Sequence, residues 1–237
     1  MTINWEYFWW ATALGFIWCQ IITHYAVSVG LHRYFSHRQF KTTVAHEWGF
    51  LILILIACVR TPIGWIASHR MHHADCEGPL DPHNYKKLGY WRVALTMWSI
   101  PKIPIKYARD LYTNPRLVWG HKYWKHFLAG WWIVTFLISP YVWWAAAFLP
   151  FMFAKVGFGM LNILGHWNKN DNKGHDGAWM NWILGGDGYH RQHHLYPWKL
   201  RLGKYDLGGY LAERYWALPG TIAGAKKEKR NGTKNKV

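Results

Sequence analysis

Apolar residues gather in three long blocks along this chain, with polar, histidine-rich stretches between them. The first block, Trp5 to Val27, is long enough to cross a bilayer core as a helix. His24, near its end, is the exception. The second block, Trp48 to Val59, has 12 uninterrupted apolar residues between Glu47 and Arg60-Thr61-Pro62. That length suits a buried or re-entrant helix rather than a crossing, so a re-entrant segment is expected over 44–66. The third block, Phe127 to Gly165, is too long for one crossing and is interrupted at Ser139-Pro140. It predicts two crossings, near 126–139 and 141–165. Lys155 falls inside the second. An ionisable side chain in a membrane helix is a functional candidate, with snorkelling or a polar partner as the plain alternative.

Between the second and third blocks, Asp81 to Lys125 is mixed, basic and dotted with Trp. Pro79, Pro82, Pro101, Pro104 and Pro115 break it into short helices and turns. No internal repeat is visible. The tail, 226–237, is basic and poor in apolar residues, a composition that predicts disorder. The expected fold class is an all-α integral membrane protein. Its stem has about three short transmembrane helices, near 5–27, 126–139 and 141–165, plus the re-entrant helix. Residues 28–43, 67–125 and 166–225 form a cytosolic helical cap, and stem and cap make one domain, 1–225.

Composition sharpens this picture. The 237 residues are 51% hydrophobic and include 19 Trp, a residue that concentrates at bilayer interfaces. The mean hydropathy of −0.16 is low for a membrane protein, because 15 His and 28 Lys or Arg with 12 Asp or Glu pull it down. The net charge of +16 fits the excess of Lys and Arg on the cytoplasmic face of membrane proteins. No nucleic-acid motif accompanies it, so nucleic-acid binding is set aside. Cys19, Cys58 and Cys76 show no CxxC spacing, which argues for a reduced compartment and against an Fe–S cluster. The N-terminus lacks the basic n-region and cleavage site of a signal peptide.

The candidate chemistry lies in three histidine boxes. They are His32-Arg33-Tyr34-Phe35-Ser36-His37, His69-Arg70-Met71-His72-His73 and His190-Arg191-Gln192-His193-His194. Dense imidazole without matching cysteines suits a borderline metal, and eight ligands are too many for one ion. In HxxHH, positions i, i+3 and i+4 share a helix face, so boxes two and three should each point three imidazoles at one spot. His32 and His37 are about 140° apart on an ideal helix, a spacing that straddles a helix end. His166, with Asn162 one turn before it, is a further candidate. The set is nitrogen-rich, unlike the Glu and ExxH ligation of carboxylate-bridged di-iron bundles, and HExxH is absent. If one site uses all three boxes, they lie on one side of the bilayer. The 44–66 segment then crosses zero times and the hairpin after it crosses twice. The basic segments fall on the same side as the boxes, which positive-inside makes the cytoplasm.

These motifs resemble the membrane fatty-acid desaturase family, with its HxxxxH, HxxHH and HxxHH boxes. The resemblance extends to Gly30-Leu31-His32-Arg33, Ser36-His37-Arg38, Pro62 to Ile66 before His69, and Asp81-Pro82-His83-Asn84. It includes Asp110-Leu111 with Asn114-Pro115, Gly186 to His190, and Tyr196-Pro197. It covers roughly Val27 to Tyr215. It implies a di-iron site held by His32, His37, His69, His72, His73, His166, His190, His193 and His194, with Asn162 acting through a water. Zinc is a plausible substitute, since imidazole suits both metals. Three departures stand out. Asp187 replaces the usual Glu, Arg191 the usual Asn, and Ala67-Ser68 the Arg-Asp pair of acyl-CoA desaturases. The last favours an acyl-lipid over acyl-CoA or acyl-carrier protein. The chain also appears one stem helix short of the family's usual four.

The activity so implied is insertion of a cis double bond into a saturated acyl chain, using O2 and two electrons. Ferredoxin or cytochrome b5 would supply the electrons, and either acidic partner suits a basic face. Trp65 is expected to help line the acyl tunnel. A hydroxylase on the same scaffold is the alternative. A non-enzymatic metal-binding or transport protein would need ionisable residues along the spans, where only His24 and Lys155 stand.

Overall fold

The computed structural model describes residues 2–96, 102–167 and 174–223, so the tail expected to be disordered lies outside the described residues. Helix α1 (Trp5–Ile21) begins at Asn4, whose side chain accepts a hydrogen bond from Tyr7 N at 3.2 Å. It runs without a break into a π-helical segment, Ile22–Ser36, forming one 32-residue helix. The two parts meet different surroundings. Trp5, Trp9, Trp10, Leu14, Ile17 and Ile21 are exposed, and a broad apolar surface of that kind belongs against lipid. From Ile22 onward nearly every residue is buried in protein. The crossing expected over 5–27 therefore continues as helix to Ser36. Neighbouring elements enclose the polar residues of box one, so the chain need not leave the helix to reach water.

Helix α2 (Val44–Ala57) starts at the Thr43 cap and ends at Cys58, which has a left-handed φ of 46°. Helix α3 (Pro62–Ala74) starts at Thr61, whose Oγ1 accepts from Gly64 N at 3.2 Å. Pro62 sits in the first turn, where its missing N–H is no loss. The two helices meet at 89°. The segment expected to be re-entrant over 44–66 is thus a right-angled pair, and its second arm runs on to Ala74 with box two. Helices α4 (Tyr85–Leu88) and α5 (Tyr90–Ala94) are short. Helix α6 (Pro115–Ile138) has 24 residues and an Asn114 cap. Helix α7 (Pro140–Trp143) passes through a π turn, Trp144–Phe148, into α8 (Leu149–Leu164). Further short helices follow: α9 (Asn181–Leu184), α10 (His190–Leu195) and α11 (Leu207–Leu211), the last running on into a π turn, Ala212–Trp216. No strand occurs among the described residues, only an isolated bridge between Asp176 and Tyr189. The protein is all-α.

Among the described residues, two helices are long and apolar enough to cross a membrane, Trp5–Ser36 and Pro140–Leu164, and the bent α2–α3 pair passes the same test as a third. The crossing expected over 126–139 is different. It is the second half of α6, whose first half carries Arg116, His121, Lys122, Lys125 and His126, so α6 as a whole does not reach that apolarity. The turn expected at Ser139-Pro140 lies between α6 and α7. Asn4 N donates to the Tyr141 hydroxyl at 2.8 Å, and Trp144 Nε1 donates to Thr12 Oγ1 at 2.9 Å. Helix α1 and the 140–164 helix therefore begin at the same end and run parallel. A Cβ at Gly15 would lie 2.9 Å from Ala145 Cα, so glycine permits this close crossing. Both helices deliver their C-terminal ends, with His32 and His166, to one level. Val27, Leu31, Phe50, Leu51, Ile54 and Ile66 form the core beneath that level.

Candidate metal centre

The nine histidines singled out in the sequence converge, and they do so as two groups. In the first, His32, His37, His69, His73 and His193 bring their ligand nitrogens within 4.8 Å of one another. Their Nε2 atoms are 2.9 Å apart for His32 and His193, 2.8 Å for His37 and His69, and 2.8 Å for His193 and His73. In the second, His190 Nε2 lies 2.8 Å from His166 Nε2 and 3.1 Å from His194 Nε2, while His72 Nε2 lies 3.3 Å from His194 Nε2. The expectation that each HxxHH box points at a single spot needs correction. His69 and His73 face the first group and His72 the second, whereas His190 and His194 face the second and His193 the first. Positions i and i+4 are about 40° apart on a helix, and i+3 lies about 60° to their other side. The i, i+4 pair therefore stays together and i+3 turns to the neighbouring group. In box one, the helix ends at Ser36 and His37 follows as its cap, so the pair straddles the helix end.

Carboxylates behind the rings fix their orientation. Asp187 Oδ1 lies 3.1 Å from His32 Nδ1 and accepts from Ser28 Oγ at 2.9 Å. Asp81 Oδ2 lies 2.9 Å from His72 Nδ1, while the backbone N–H groups of Glu77 and His83 donate to the same carboxylate. Glu77 Oε1 stands 3.5 Å from His166 Nδ1, and Cys76 Sγ lies 3.7 Å from it. In a neutral imidazole, donating Nδ1–H to a carboxylate leaves Nε2 unprotonated. Nε2 of His32 and of His72 points into clusters of other imidazole nitrogens. Burial is the main cause that holds His37, His190, His193 and His194 well below the ordinary imidazole range, and neighbouring histidines add to it. All four are therefore neutral at pH 7. Asp187 is fully enclosed, which opposes ionisation. His32, Arg33 and Ser28 outweigh that cost and hold its carboxyl below the usual range.

This arrangement fits metal ions. Imidazole nitrogens at about 2.0–2.1 Å from one ion are separated by about 3 Å, matching the spacings within both groups. Neutral imidazoles carry one N–H each, so two clusters of inward-facing lone pairs cannot satisfy one another by hydrogen bonds alone. Asn162, His32, Trp65, His69, His72, His83, Phe158 and His190 are among the residues around a cavity of about 20 Å³, enough for one water. Trp65 stacks on His69 at 4.8 Å and 13° and meets Phe158 edge-on at 6.2 Å.

Sequence reasoning missed the polar frame around the boxes. Arg33 is wholly buried and donates to both oxygens of Asp206 at 2.9 Å and to Leu200 O at 2.8 Å. It also reaches Asp187 at 3.5 Å. The acids Glu77, Asp81 and Asp187 could have been sought as orienting partners, because each lies within ten residues of a box. Asp206, more than ten residues from any box, left no such signal.

Comparison with known proteins agrees with this geometry. The family model for fatty acid desaturases matches residues 7–219. The chain is 26% identical over 211 residues to the (11Z)-hexadec-11-enoyl-CoA conjugase of Bombyx mori, covering 81% of this chain and 64% of that protein. It is 26% identical over 216 residues to the sn-2 palmitoyl-lipid 9-desaturase of Nostoc sp. (strain 36), covering 85% and 75%. It is 27% identical over 233 residues to the Delta-9 desaturase-like 3 protein of Arabidopsis thaliana, covering 91% and 73%. The chain thus spans just under two thirds of the Bombyx mori protein and about three quarters of the other two. With a match over nearly its whole length and every box in place, the chain belongs to the fatty acid desaturase family.

Proposed function

We propose that the protein is a membrane fatty acyl desaturase that inserts a cis double bond at a histidine-held di-iron centre. One observation carries the reading: two groups of buried or half-buried imidazoles, five and four, lie side by side at the C-terminal ends of apolar helices. His32, His37, His69, His73 and His193 would hold one ion. His72, His166, His190 and His194 would hold the other, with Asn162 acting through a water in the 20 Å³ cavity. Two irons bound there would supply the oxidising power to take two hydrogens from adjacent methylenes, with O2 as oxidant and two electrons from a carrier.

The chain's own residues do the rest. Asp187, Asp81 and Glu77 keep Nδ1 of His32, His72 and His166 turned outward, which leaves Nε2 for metal. Trp65 and Phe158 form an apolar wall beside His69, against which an acyl chain can lie while water stays out. The substrate is an acyl-lipid. Ala67 and Ser68 are buried, and Ser68 Oγ bonds to Gly64 O at 2.9 Å, so this turn of α3 offers no cation to a CoA phosphate. The centre faces the cytoplasm, where positive-inside places the basic segments. An acidic ferredoxin or cytochrome b5 delivers the electrons there. Zinc is the expected contaminant at such a nitrogen-rich site. The test is anaerobic iron quantification, paired with gas chromatography of lipids from an expressing host. About two irons per chain and a new monounsaturated acyl species are expected. Absence of iron, or a hydroxylated product in place of the alkene, would sink the proposal. His193→Ala should abolish the product while the protein still extracts as a folded membrane species.

A further inference from the structure

The exposed apolar residues of α1 include a stripe, Trp10, Leu14, Ile17 and Ile21, at the three- and four-residue spacing of one helix face. His24 and Ser28 continue that face, and there the stripe ends against the cap. A Cβ at Gly185 would lie 3.2 Å from His24 Cα and 2.9 Å from Ser28 Cβ, and Ser28 Oγ donates to Gly185 O at 2.9 Å. A Cβ at Gly208 would lie 2.8 Å from Gly185 O and 3.4 Å from His24 O. On another side α9 reaches the 140–164 helix, where a Cβ at Gly157 would meet Leu184 at 3.1 Å. The turn after α9 and the start of α11 therefore sit directly over the lipid-facing side of the stem, one helical turn past its last exposed residue.

The outward side of these elements is aromatic and apolar. Helix α9 buries Asn181 and Leu184 and exposes Trp182 and Ile183, Trp182 by 68%. Tyr205, Leu207 and Tyr210 are exposed on the segment that packs with it, and the Trp182 and Tyr205 rings stand 5.9 Å apart. Lys204 Nζ lies 5.5 Å from the centre of the Tyr205 ring, and Arg201 Cζ lies 5.4 Å from that of Tyr210. The exposed charges between Lys199 and Arg214 are predominantly cationic, with Glu213 against Lys199, Arg201, Lys204 and Arg214, because Asp206 is buried against Arg33. Outward Trp, Tyr and Leu with basic side chains laid over the rings suit the layer between hydrocarbon and water. The position supplies the partner, since a patch continuous with a lipid-facing helix stripe meets the same bilayer.

We propose that α9 and the 201–210 segment form a further, non-spanning membrane contact. Trp182, Ile183 and Leu207 enter the interfacial layer, while Arg201 and Lys204 reach the phosphates of anionic lipids. The contact rests on α1 being a membrane span and not on the desaturase chemistry. Its consequence for the histidines is positional. Asp187 follows Leu184 by three residues and lies 3.1 Å from His32 Nδ1, so a bilayer that holds α9 also holds the carboxylate behind His32.

The test is a depth measurement on the full-length protein in lipid nanodiscs, with Cys76→Ser made first because Cys19 and Cys58 are buried and Cys76 is not. W182C and L207C each carry a bimane label. R109C is the aqueous reference, next to the Asp110 that pairs with Arg38 beyond the end of the first helix. Phosphatidylcholine bearing a nitroxide near the top of its acyl chain should quench the two patch labels about threefold more than the reference, and aqueous iodide should quench them less. Adding phosphatidylglycerol should strengthen the quenching by nitroxide lipid, and R201Q/K204Q should cancel that gain. W182C and L207C labels that respond like the reference overturn the contact. Shielding from both quenchers, with unlabelled W182C forming a disulfide between chains, also overturns it, because a second copy then covers the face. Patch quenching that ignores phosphatidylglycerol overturns the phosphate contact. Both label sites are exposed, so if one variant misfolds the other still decides. The readout needs neither iron nor O2. Aqueous labels on a protein that forms the double bond would sink the contact alone, and lipid-quenched labels on a protein that forms none would sink only the desaturase reading.

Discussion

At the scale of single residues, each inward-facing imidazole depends on what stands behind it. Asp81 accepts three hydrogen bonds and spends one on orienting His72. Replacing it with Asn removes the charge that favours Nδ1–H on His72. Iron affinity is expected to fall about 10- to 100-fold, measured by anaerobic titration of the metal-free protein. An unchanged affinity would mean that Asp81 serves only the loop. The neutral histidines also set a pH dependence. His37, His190, His193 and His194 are held well below the ordinary value of 6.5 in the folded state. Below pH 6.5 the unfolded chain binds protons that the folded chain refuses, so folding stability falls as pH drops from 6.5 towards the folded values. The slope is up to about 1.4 kcal/mol per pH unit for each such histidine. Metal-free protein should therefore melt well below its pH 7.5 temperature at pH 5.5, and a flat profile between these points would refute the burial of neutral rings. All nine histidines were legible in the sequence, because three dense boxes and His166 stand out against an apolar background. Their division into five and four was not. It depends on which side of each short helix meets its neighbour, and spacing within one box carries no information about that.

At the scale of elements, glycine positions show which helices the centre cannot allow to move. A Cβ at Gly30 would lie 2.6 Å from Phe50 Cβ, so the π-helical segment and α2 touch there without room for a side chain. His32 is two residues further along. Gly30→Val should cost about 1–3 kcal/mol through overpacking and lower iron occupancy by displacing His32, read by thermal melting and metal analysis on the same sample. Gly130→Ala is the control. It sits on α6 with open space around its Cβ, and the exchange should be neutral or gain up to about 1 kcal/mol from helix propensity. Equal losses at both positions would point to a general intolerance rather than a contact. The elements differ in how far they could be read in advance. The break after the second apolar block was visible in Thr61-Pro62, a cap followed by a proline. The continuation of the first helix to Ser36 was not, because polar residues after Val27 suggest an exit from the helix. The structure keeps them helical by burying Ser28, His32 and Arg33 against partners more than 150 residues away. A long-range partner of that kind leaves no local signal.

At the scale of the whole molecule, the two histidine groups join segments that are otherwise distant in the chain. The first of the nine histidines is His32 and the last is His194, and the rings come from the end of the first helix, from α3, from the end of α8 and from α10. Apolar packing alone leaves inward-facing nitrogen lone pairs crowded at 2.8–3.3 Å. Metal ions bound there would turn that unfavourable crowding into bonds that tie all four segments together. A ligand that binds only the folded state stabilises it by about 2.7 kcal/mol at 100 times its dissociation constant. Each kcal/mol moves the midpoint of a chain this size by about 2–4 °C, so each ion should raise it by about 5–10 °C. Chelating the metal from purified protein should lower the melting temperature by at least that much, and iron or zinc should restore it. His193→Ala, which removes a ligand from the group of five, should shrink the restored increment, while Gly130→Ala should leave it whole. If the midpoint stayed the same with and without metal, the four segments would have to be held by the buried Arg33–Asp206–Asp187 cluster and the apolar core alone. The histidines would then be passengers of the fold, and the centre could be emptied without loosening the cap.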